Sequence, residues 1–560
     1  MSGFQLFTQI AFGTTFDPKK PKKRKNKLKN HKRNKRKRFE ESENEQIDST
    51  VSNDANFSNL VSSDSSEDSE LEANSEVPNV AVKQRKKKKK ILSIMKLLKI
   101  RKEEVSHFRR VHKIHITGED VPDPMEDFNQ LIADYGVSNT IVESIYNLGY
   151  SKPTPIQMQA IPLMLHNRQI LACAPTGSGK TAAFLVPLIH NLKAHEKGGF
   201  RAVIIAPTRE LVKQIHTFCL KLSEGTSLRS FIIENVKDVK ERPKFFQEHD
   251  ILISTPNRLI YLLKNNPPVI TLNKVQWLVI DECDKLFETG ERTSFRDQLA
   301  FIYNACDSSH LKRAMFSATY RNEVENWCKL NLDSLVCVSI GSRNTAVESV
   351  KQELLFVGSE GGKLIALKNF FKESFLPPCL IFVQSKERAT ELYSEMVYQY
   401  QRINVIHSDL PQEERDKIVK NFTEGKVWTL ICTELMGRGI DFKDVQVVIN
   451  YDFPTNAISY IHRIGRTGRA GEIGRAITYF TSEDVGNLKN IAQVIKNAGC
   501  EVPSYIMSLK SKKKKKKNGR VIPIKRENIS SATAYNIEKH MKKRKTIQNS
   551  KKKGIKNSAS

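Results

Sequence analysis

Residues 174–181 read Ala-Pro-Thr-Gly-Ser-Gly-Lys-Thr, and about a hundred residues further on residues 281–284 read Asp-Glu-Cys-Asp. The first pattern suits a loop that cradles phosphate, the second a paired-acid magnesium site. An apolar run (Ile170–Cys173) precedes the loop and a helix-like stretch (Ala182–Leu185) follows it, the strand–loop–helix setting that such a loop requires. Ala174, Pro175, Thr176 and Ser178 form the loop backbone. Gly177 and Gly179 let its N–H groups close around an anion at a helix N-terminus, where the dipole also favours negative charge. Lys180 is placed to reach the β- and γ-phosphates, and the Thr181 hydroxyl to ligate Mg2+. Asp281 is placed to hold the same ion through water, and Glu282 to polarise the attacking water. Asp284 is expected to hydrogen-bond to other motif residues. A glycine-rich turn alone, or two adjacent acids capping a surface strand, would need no chemistry. The two patterns together imply a nucleoside triphosphatase.

A third cluster, His462-Arg463-Ile464-Gly465-Arg466-Thr467-Gly468-Arg469, is poor helix or core material by composition. It suits a cleft facing a triphosphate, with Arg466 and Arg469 as fingers on the developing γ-phosphoryl charge. The competing reading is a basic surface turn that binds nucleic acid alone.

These groups need rigid elements to hold them. Continuous apolar runs at Ala202–Ala206, Ile251–Ser254, Trp277–Ile280, Ala314–Ser317 and Leu335–Ile340 alternate with helical patterns. Strands apolar on both faces imply a parallel sheet flanked by helices. The pattern restarts at Glu353–Val357, Cys379–Val383, Val405–His407, Thr429–Cys432, Val445–Ile449 and Ala476–Phe480. The expected fold is α/β: two tandem RecA-like, doubly wound parallel-sheet domains, at 160–341 and 352–505, joined near Gly341–Gln352. Residues 111–159 form a lead-in, and the motifs fall beyond the carboxyl ends of the strands, where such sheets bind ligands.

The charge is segregated. The formal net charge is +29, yet residues 111–505 balance 45 Lys/Arg against 45 Asp/Glu. Residues 1–110 carry 27 against 15 and residues 506–560 carry 19 against 2, so the two ends hold the whole excess. Fourteen of residues 19–38 are Lys or Arg, with further blocks at Lys86–Lys90 and Lys512–Lys517. Both ends are expected to be disordered tails that suit phosphate backbones or import receptors, with a merely solubilising role as the alternative. The acidic, serine-rich stretch Ser62–Glu76 is a plausible phosphorylation region. No secretory signal or membrane-length apolar run is evident. Nine scattered cysteines without metal-like spacing suggest reduced thiols in cytosol or nucleus.

Across about 128–480 the motifs resemble the DEAD-box ATP-dependent RNA helicases. That resemblance implies ATP and Mg2+ as cofactors and RNA as partner. Pro153-Thr154-Pro155-Ile156-Gln157 is similar to the family's adenine-reading motif, which implies that Gln157 pairs with the base and Phe128 stacks on it. Pro207-Thr208-Arg209-Glu210 and Thr255-Pro256-Asn257-Arg258 are similar to the RNA-backbone motifs of the first domain, implying RNA contacts at Thr208, Arg209, Thr255, Pro256 and Arg258. Ser317-Ala318-Thr319 resembles the motif that couples hydrolysis to strand separation, a role extended to Asp284 and His462. In the second domain the resemblance implies RNA contacts at Gln384, Arg415, Thr433 and Gly437, and a ribose contact at Asp441. Cys283, Glu434 and Gly437 depart from the usual residues, and Glu234-Asn235-Val236-Lys237 stands where a double glycine is expected.

His112–Gly118 followed by Val121-Pro122-Asp123-Pro124 resembles the lead-in of the Rok-type nucleolar helicases of small-subunit ribosomal RNA maturation. This subfamily implies nuclear and nucleolar localisation, pre-rRNA or snoRNA-containing duplexes as substrates, pre-ribosomal protein partners and a monomeric core. The rival functions are an ATP-gated RNA clamp or assembly scaffold with little unwinding, and a DNA helicase.

Overall fold

The computed structural model describes residues 79–241, 247–286, 295–342, 349–434, 442, 444–469, 472–508, 516–517, 520–521, 524 and 526–529. The expectations for residues 1–78, Gly437 and Asp441 lie outside them.

The apolar runs form strands for the reason their composition suggests. Strands β1 (Ile114–Thr117), β2 (Ile170–Cys173), β3 (Ala202–Ile205), β4 (Ser230–Ile232), β5 (Ile251–Ser254), β6 (Trp277–Ile280), β7 (Lys312–Ser317) and β8 (Val336–Ile340) make one sheet. Its order is β1-β8-β2-β7-β6-β3-β5-β4. β2, β3, β5 and β6 are buried at every residue, as a sheet covered on both faces requires. All pairings are parallel except β1 with β8. Both β1, from the lead-in, and β4 went unrecognised in the sequence because each is short and only half buried.

The second sheet contains β9 (Val350–Phe356), β10 (Cys379–Val383), β11 (Ile403–Ile406), β12 (Thr429–Thr433), β13 (Val447–Asn450) and β14 (Gly474–Phe480). It is wholly parallel, in the order β11-β12-β10-β13-β14-β9. The expected linker, Gly341–Gln352, is shorter than its polar composition suggests. Val350 and Gln352 already belong to β9, where Gln352 is buried and accepts a hydrogen bond from Tyr460 Oη at 2.9 Å.

Two further findings depart from the compositional reading. The Lys86–Lys90 block, expected to lack structure, lies within the helix Asn79–Val111, since a lysine run has good helix propensity. Beyond residue 505, Ile506 is buried against the second domain, and Ile524 and Arg526–Ile529 are bonded to that domain. All nine cysteines are free thiols, and eight are buried. Among the described residues no helix is long and apolar enough to cross a membrane, and no cluster of His, Cys, Asp and Glu could hold a metal ion by itself.

Candidate active site

β2 delivers Ala174–Gly179 to the N-terminus of the helix Lys180–Leu192. Gly177 and Gly179 adopt φ of 76° and 85°, a left-handed backbone that glycine enters without steric cost. A Cβ on Gly179 would also collide with Gln157 Nε2. The turn is tied down from outside. Thr154 Oγ1 donates to Ser178 O at 2.7 Å, Gln157 Nε2 donates to Gly179 O at 3.1 Å, and Gln157 Oε1 accepts from the Thr154 N–H at 3.0 Å. Gln157, expected on the base, is thus fully buried and bound to the loop. Thr154 was not singled out, although the capping box of its helix, with Gln157 at the third helical position, was legible.

Phe128 departs further from its expected role. It is 1% exposed, inside the first domain's core and edge-on to Tyr146 at a centroid distance of 6.1 Å. It therefore presents no ring face on which a base could stack.

Lys180 Nζ donates to Ala174 O and Pro175 O, both at 2.7 Å. Burial lowers its pKa to about 8, against the opposing charges of Asp281 and Glu282. Asp281 and Glu282 follow β6 directly. Burial raises the Asp281 carboxyl to about 7, and the adjacent Glu282 charge adds to that while Lys180 opposes it. Glu282 has φ of 49°, its N–H donates to Asp281 Oδ1 at 2.9 Å, and its Oε2 is buried with no hydrogen-bond partner among the described residues. A strained acid with an unsatisfied oxygen, beside a cation and a glycine cradle, fits a magnesium–triphosphate, with Thr181 at the start of the same helix.

The third cluster approaches from the second domain. Contrary to its expected avoidance of helix and core, His462, Arg463 and Ile464 end the helix Ala457–Ile464, and His462, Arg463 and Arg466 are buried. His462 Nε2 donates to Asp284 Oδ2 at 2.6 Å, and the same oxygen accepts from Thr319 Oγ1 at 2.5 Å. Ser317 Oγ donates to Thr319 O at 2.7 Å and accepts from its N–H at 3.1 Å. The four coupling residues therefore form one network across both domains. Alongside it, Thr176 Oγ1 donates to Gly465 O at 2.8 Å, and a Cβ on Gly465 would strike that hydroxyl. Arg466 Nε donates to His462 O at 3.1 Å and Arg469 Nε to Gly465 O at 2.9 Å. The stem of Arg469 lies against Gly177, where an added Cβ would be 3.1 Å from its Cγ.

The residues expected on RNA lie on the same carboxyl edges. Thr208 and Thr255 cap the helices Arg209–Leu222 and Pro256–Leu263 after β3 and β5, with Pro256 at the first helical position. Arg209 is exposed, Arg258 donates to Ile233 O, and Thr433 ends β12. Arg415 instead pairs with Glu210 across the domains at 2.9 Å, joined by Gln412 Nε2 to Glu210 Oε1 at 3.2 Å and Lys213 Nζ to Asp416 Oδ2 at 2.6 Å. Lys213 and Asp416 carried no motif signal. Gln384 follows β10 with both side-chain polar groups bound to the C-terminal segment.

Comparison with known proteins agrees with this arrangement. The family profile described as "DEAD/DEAH box helicase" matches residues 154–327, and that described as "Helicase conserved C-terminal domain" matches residues 362–471. The chain is 54% identical over 460 residues to the Bos taurus protein named "Probable ATP-dependent RNA helicase DDX52", spanning 81% of this chain and 77% of that one. It is 40% identical over 464 residues to "ATP-dependent RNA helicase ROK1" of Vanderwaltozyma polyspora, covering 80% of each. Among solved structures, S. cerevisiae Dbp5 bound to RNA and ADP BeF3 aligns with a TM-score of 0.59 at 26% identity, over 66% of this chain and 94% of that one.

Proposed function

The chain belongs to the DEAD-box ATP-dependent RNA helicases, and from that premise we propose that it acts in the nucleolus, remodelling pre-rRNA duplexes or RNA–protein complexes during small-subunit ribosome maturation. The observation that carries the mechanism is the Asp284 carboxylate, shared by Thr319 of its own domain and His462 of the other. Through it, any change around Asp281 and Glu282 is felt by the relative position of the two domains.

ATP bound with Mg2+ supplies the phosphoanhydride whose hydrolysis resets the core. Lys180 would exchange its two loop carbonyls for phosphate oxygens, whose negative charge further favours its protonated form. Thr181 and Asp281 would hold the ion. Glu282 orients the attacking water and accepts its proton, and Arg466 and Arg469 stand opposite to stabilise developing charge. RNA lies along Arg209, Thr255, Arg258 and Thr433, with contacts mainly to phosphates and sugars and hence tolerant of sequence.

The nucleolar pathway is supported by the similarity to ROK1 and DDX52, by the lead-in residues 112–124, and by basic blocks suited to polyanions. Crosslinking the protein to RNA in cells tests it. Enrichment of small-subunit precursor rRNA or snoRNA is expected, and enrichment confined to messenger RNA would overturn the assignment.

A further inference from the structure

A charge placed in a protein interior must be matched there, because desolvation penalises any ion left alone. At the carboxyl edge of the second sheet, Glu360, Asp452 and Asp484 are 12%, 0% and 1% exposed. Within the domain itself, two cations answer them. Lys363 Nζ lies 2.7 Å from Glu360 and 3.1 Å from Asp452, and Arg388 lies 2.8 Å and 2.7 Å from the same pair. Arg463, close by, is engaged with Glu434 and the Asp452 carbonyl. Three carboxylates against two cations leave one negative charge to be matched.

The third cation comes from the segment read as a free tail. Arg526 is 2% exposed. Its Nη1 donates to Glu360 Oε1 at 2.8 Å, its Nη2 to Asp484 Oδ1 at 2.7 Å and its Nε to Gln384 Oε1 at 2.9 Å. The flanking backbone is read as well. Gln384 Nε2 donates to Ile524 O at 3.1 Å, Arg388 Nη1 to Glu527 O at 2.5 Å, and the Ile529 N–H to Glu391 Oε2 at 3.0 Å. The Ile529 side chain is buried in the core cluster that contains Val383, Ala389 and Tyr451. Burial alone would raise the Asp452 carboxyl, yet the hydrogen bond from Arg388 and the charges of Lys363, Arg388 and Arg526 hold it well below the usual range.

We propose that the second domain carries a guanidinium-binding pocket walled by Glu360, Gln384, Asp452 and Asp484, that its ligand is Arg526 of the chain's own C-terminal segment, and that its occupancy withdraws Gln384 from RNA. The planar fork of an arginine satisfies three walls in three directions, which a lysine point charge cannot do. The last clause of the proposal rests on the RNA-facing role given to Gln384; the pocket does not. Because Ile506 is also buried on this domain, the basic stretch 509–523, with eight Lys/Arg and no Asp/Glu, starts and ends on the same body.

Thermal unfolding and RNA titration of the full-length protein separate the two parts. Arg526→Ala strands a buried acid and should lower the melting midpoint of the second domain by roughly 5–10 °C. Arg526→Lys should recover only part of that loss. Asp484→Asn in the Arg526→Ala background should recover some of it too, since the surplus charge is gone. An unchanged midpoint, or strictly additive effects of the two substitutions, overturns the pocket. Should Arg526→Ala not fold, amide exchange of the wild type decides. The Ile529 N–H should be protected like a core amide, and exchange at the rate of a free peptide overturns the docking. In the presence of a non-hydrolysable ATP analogue, Arg526→Ala should bind single-stranded RNA severalfold more tightly, as removing a competing state requires. That sign is opposite to the effect of merely losing a cation. The gain should vanish in Arg526→Ala/Gln384→Ala, and unchanged or weaker RNA binding by Arg526→Ala overturns the withdrawal of Gln384.

Discussion

The two domains touch on two sides of their cleft, and the two contacts differ in kind. On the nucleotide side, Asp284 and His462 are each 1% exposed and share a carboxylate oxygen with Thr319. On the other side the contact is graded: Arg415 and Glu210 are 12% and 6% exposed, while Lys213 and Asp416 meet at a comparable distance but are each 37% exposed. Short distance alone does not make a strong coupling. A buried network loses its full desolvation cost when one member goes, whereas an exposed pair returns to water and is screened by salt. The buried Asp284–His462 network is therefore expected to transmit hydrolysis, and the exposed Lys213–Asp416 pair to tune closure.

The largest effects should come from the residues facing the phosphates. Arg466→Ala should lower RNA-stimulated ATP turnover by ~10³-fold or more while sparing ATP affinity, as for other arginine fingers. Loss of affinity with turnover intact would make it a binding residue. Glu282→Gln should cut hydrolysis by at least ~100-fold and trap a long-lived complex that needs both ATP and RNA, readable by gel retention. A variant that hydrolyses ATP near the normal rate would end the assignment of Glu282.

The next effect is one of pH. Asp281 has a folded-state pKa of about 7 against an ordinary value of 3.8. Between these values the folded protein holds a proton that the unfolded chain has released. The stability of the nucleotide-free protein should therefore fall as pH rises from about 4 to 7, by up to about 1.4 kcal/mol per pH unit. Asp281→Asn should flatten that loss in urea titrations; an unaltered slope would show that another group titrates.

Two double-mutant cycles on ATPase activity then test the comparison itself. Asp284→Ala with His462→Ala should give a coupling of about 1–3 kcal/mol. Lys213→Ala with Asp416→Ala should give about 0.2–1 kcal/mol, fading in high salt. Equal couplings would remove the distinction between the buried network and the exposed pair.

Where chemistry is local, it was readable. The phosphate loop needs its glycines, Lys180 and Thr181 within eight consecutive residues between a strand and a helix, and the paired acids need only the end of a buried strand. The twelve expected strands all exist, with ends shifted by up to three residues, because period and β-branching are local signals. Phe128 shows the limit. An aromatic at a plausible separation from Gln157 says nothing of which way its ring faces, and packing against Tyr146 and the rest of the core decided that.

The sequence by itself determined the two-sheet α/β plan, the triphosphate chemistry of the loop and acids, and the concentration of positive charge at the two ends. Tertiary structure alone decided that one of those charges, Arg526, is buried and matched. Lys512–Lys517 and Arg526 look alike in composition, but Arg526 is matched by Asp484, Asp452 and Glu360, lying 42 to 166 residues away in the chain. It likewise set Lys213 against Asp416, two helical surface charges on separate domains. Burial and ion pairing depend on distance in space, and no spacing along a chain encodes the meeting of two elements that fold as parts of different sheets.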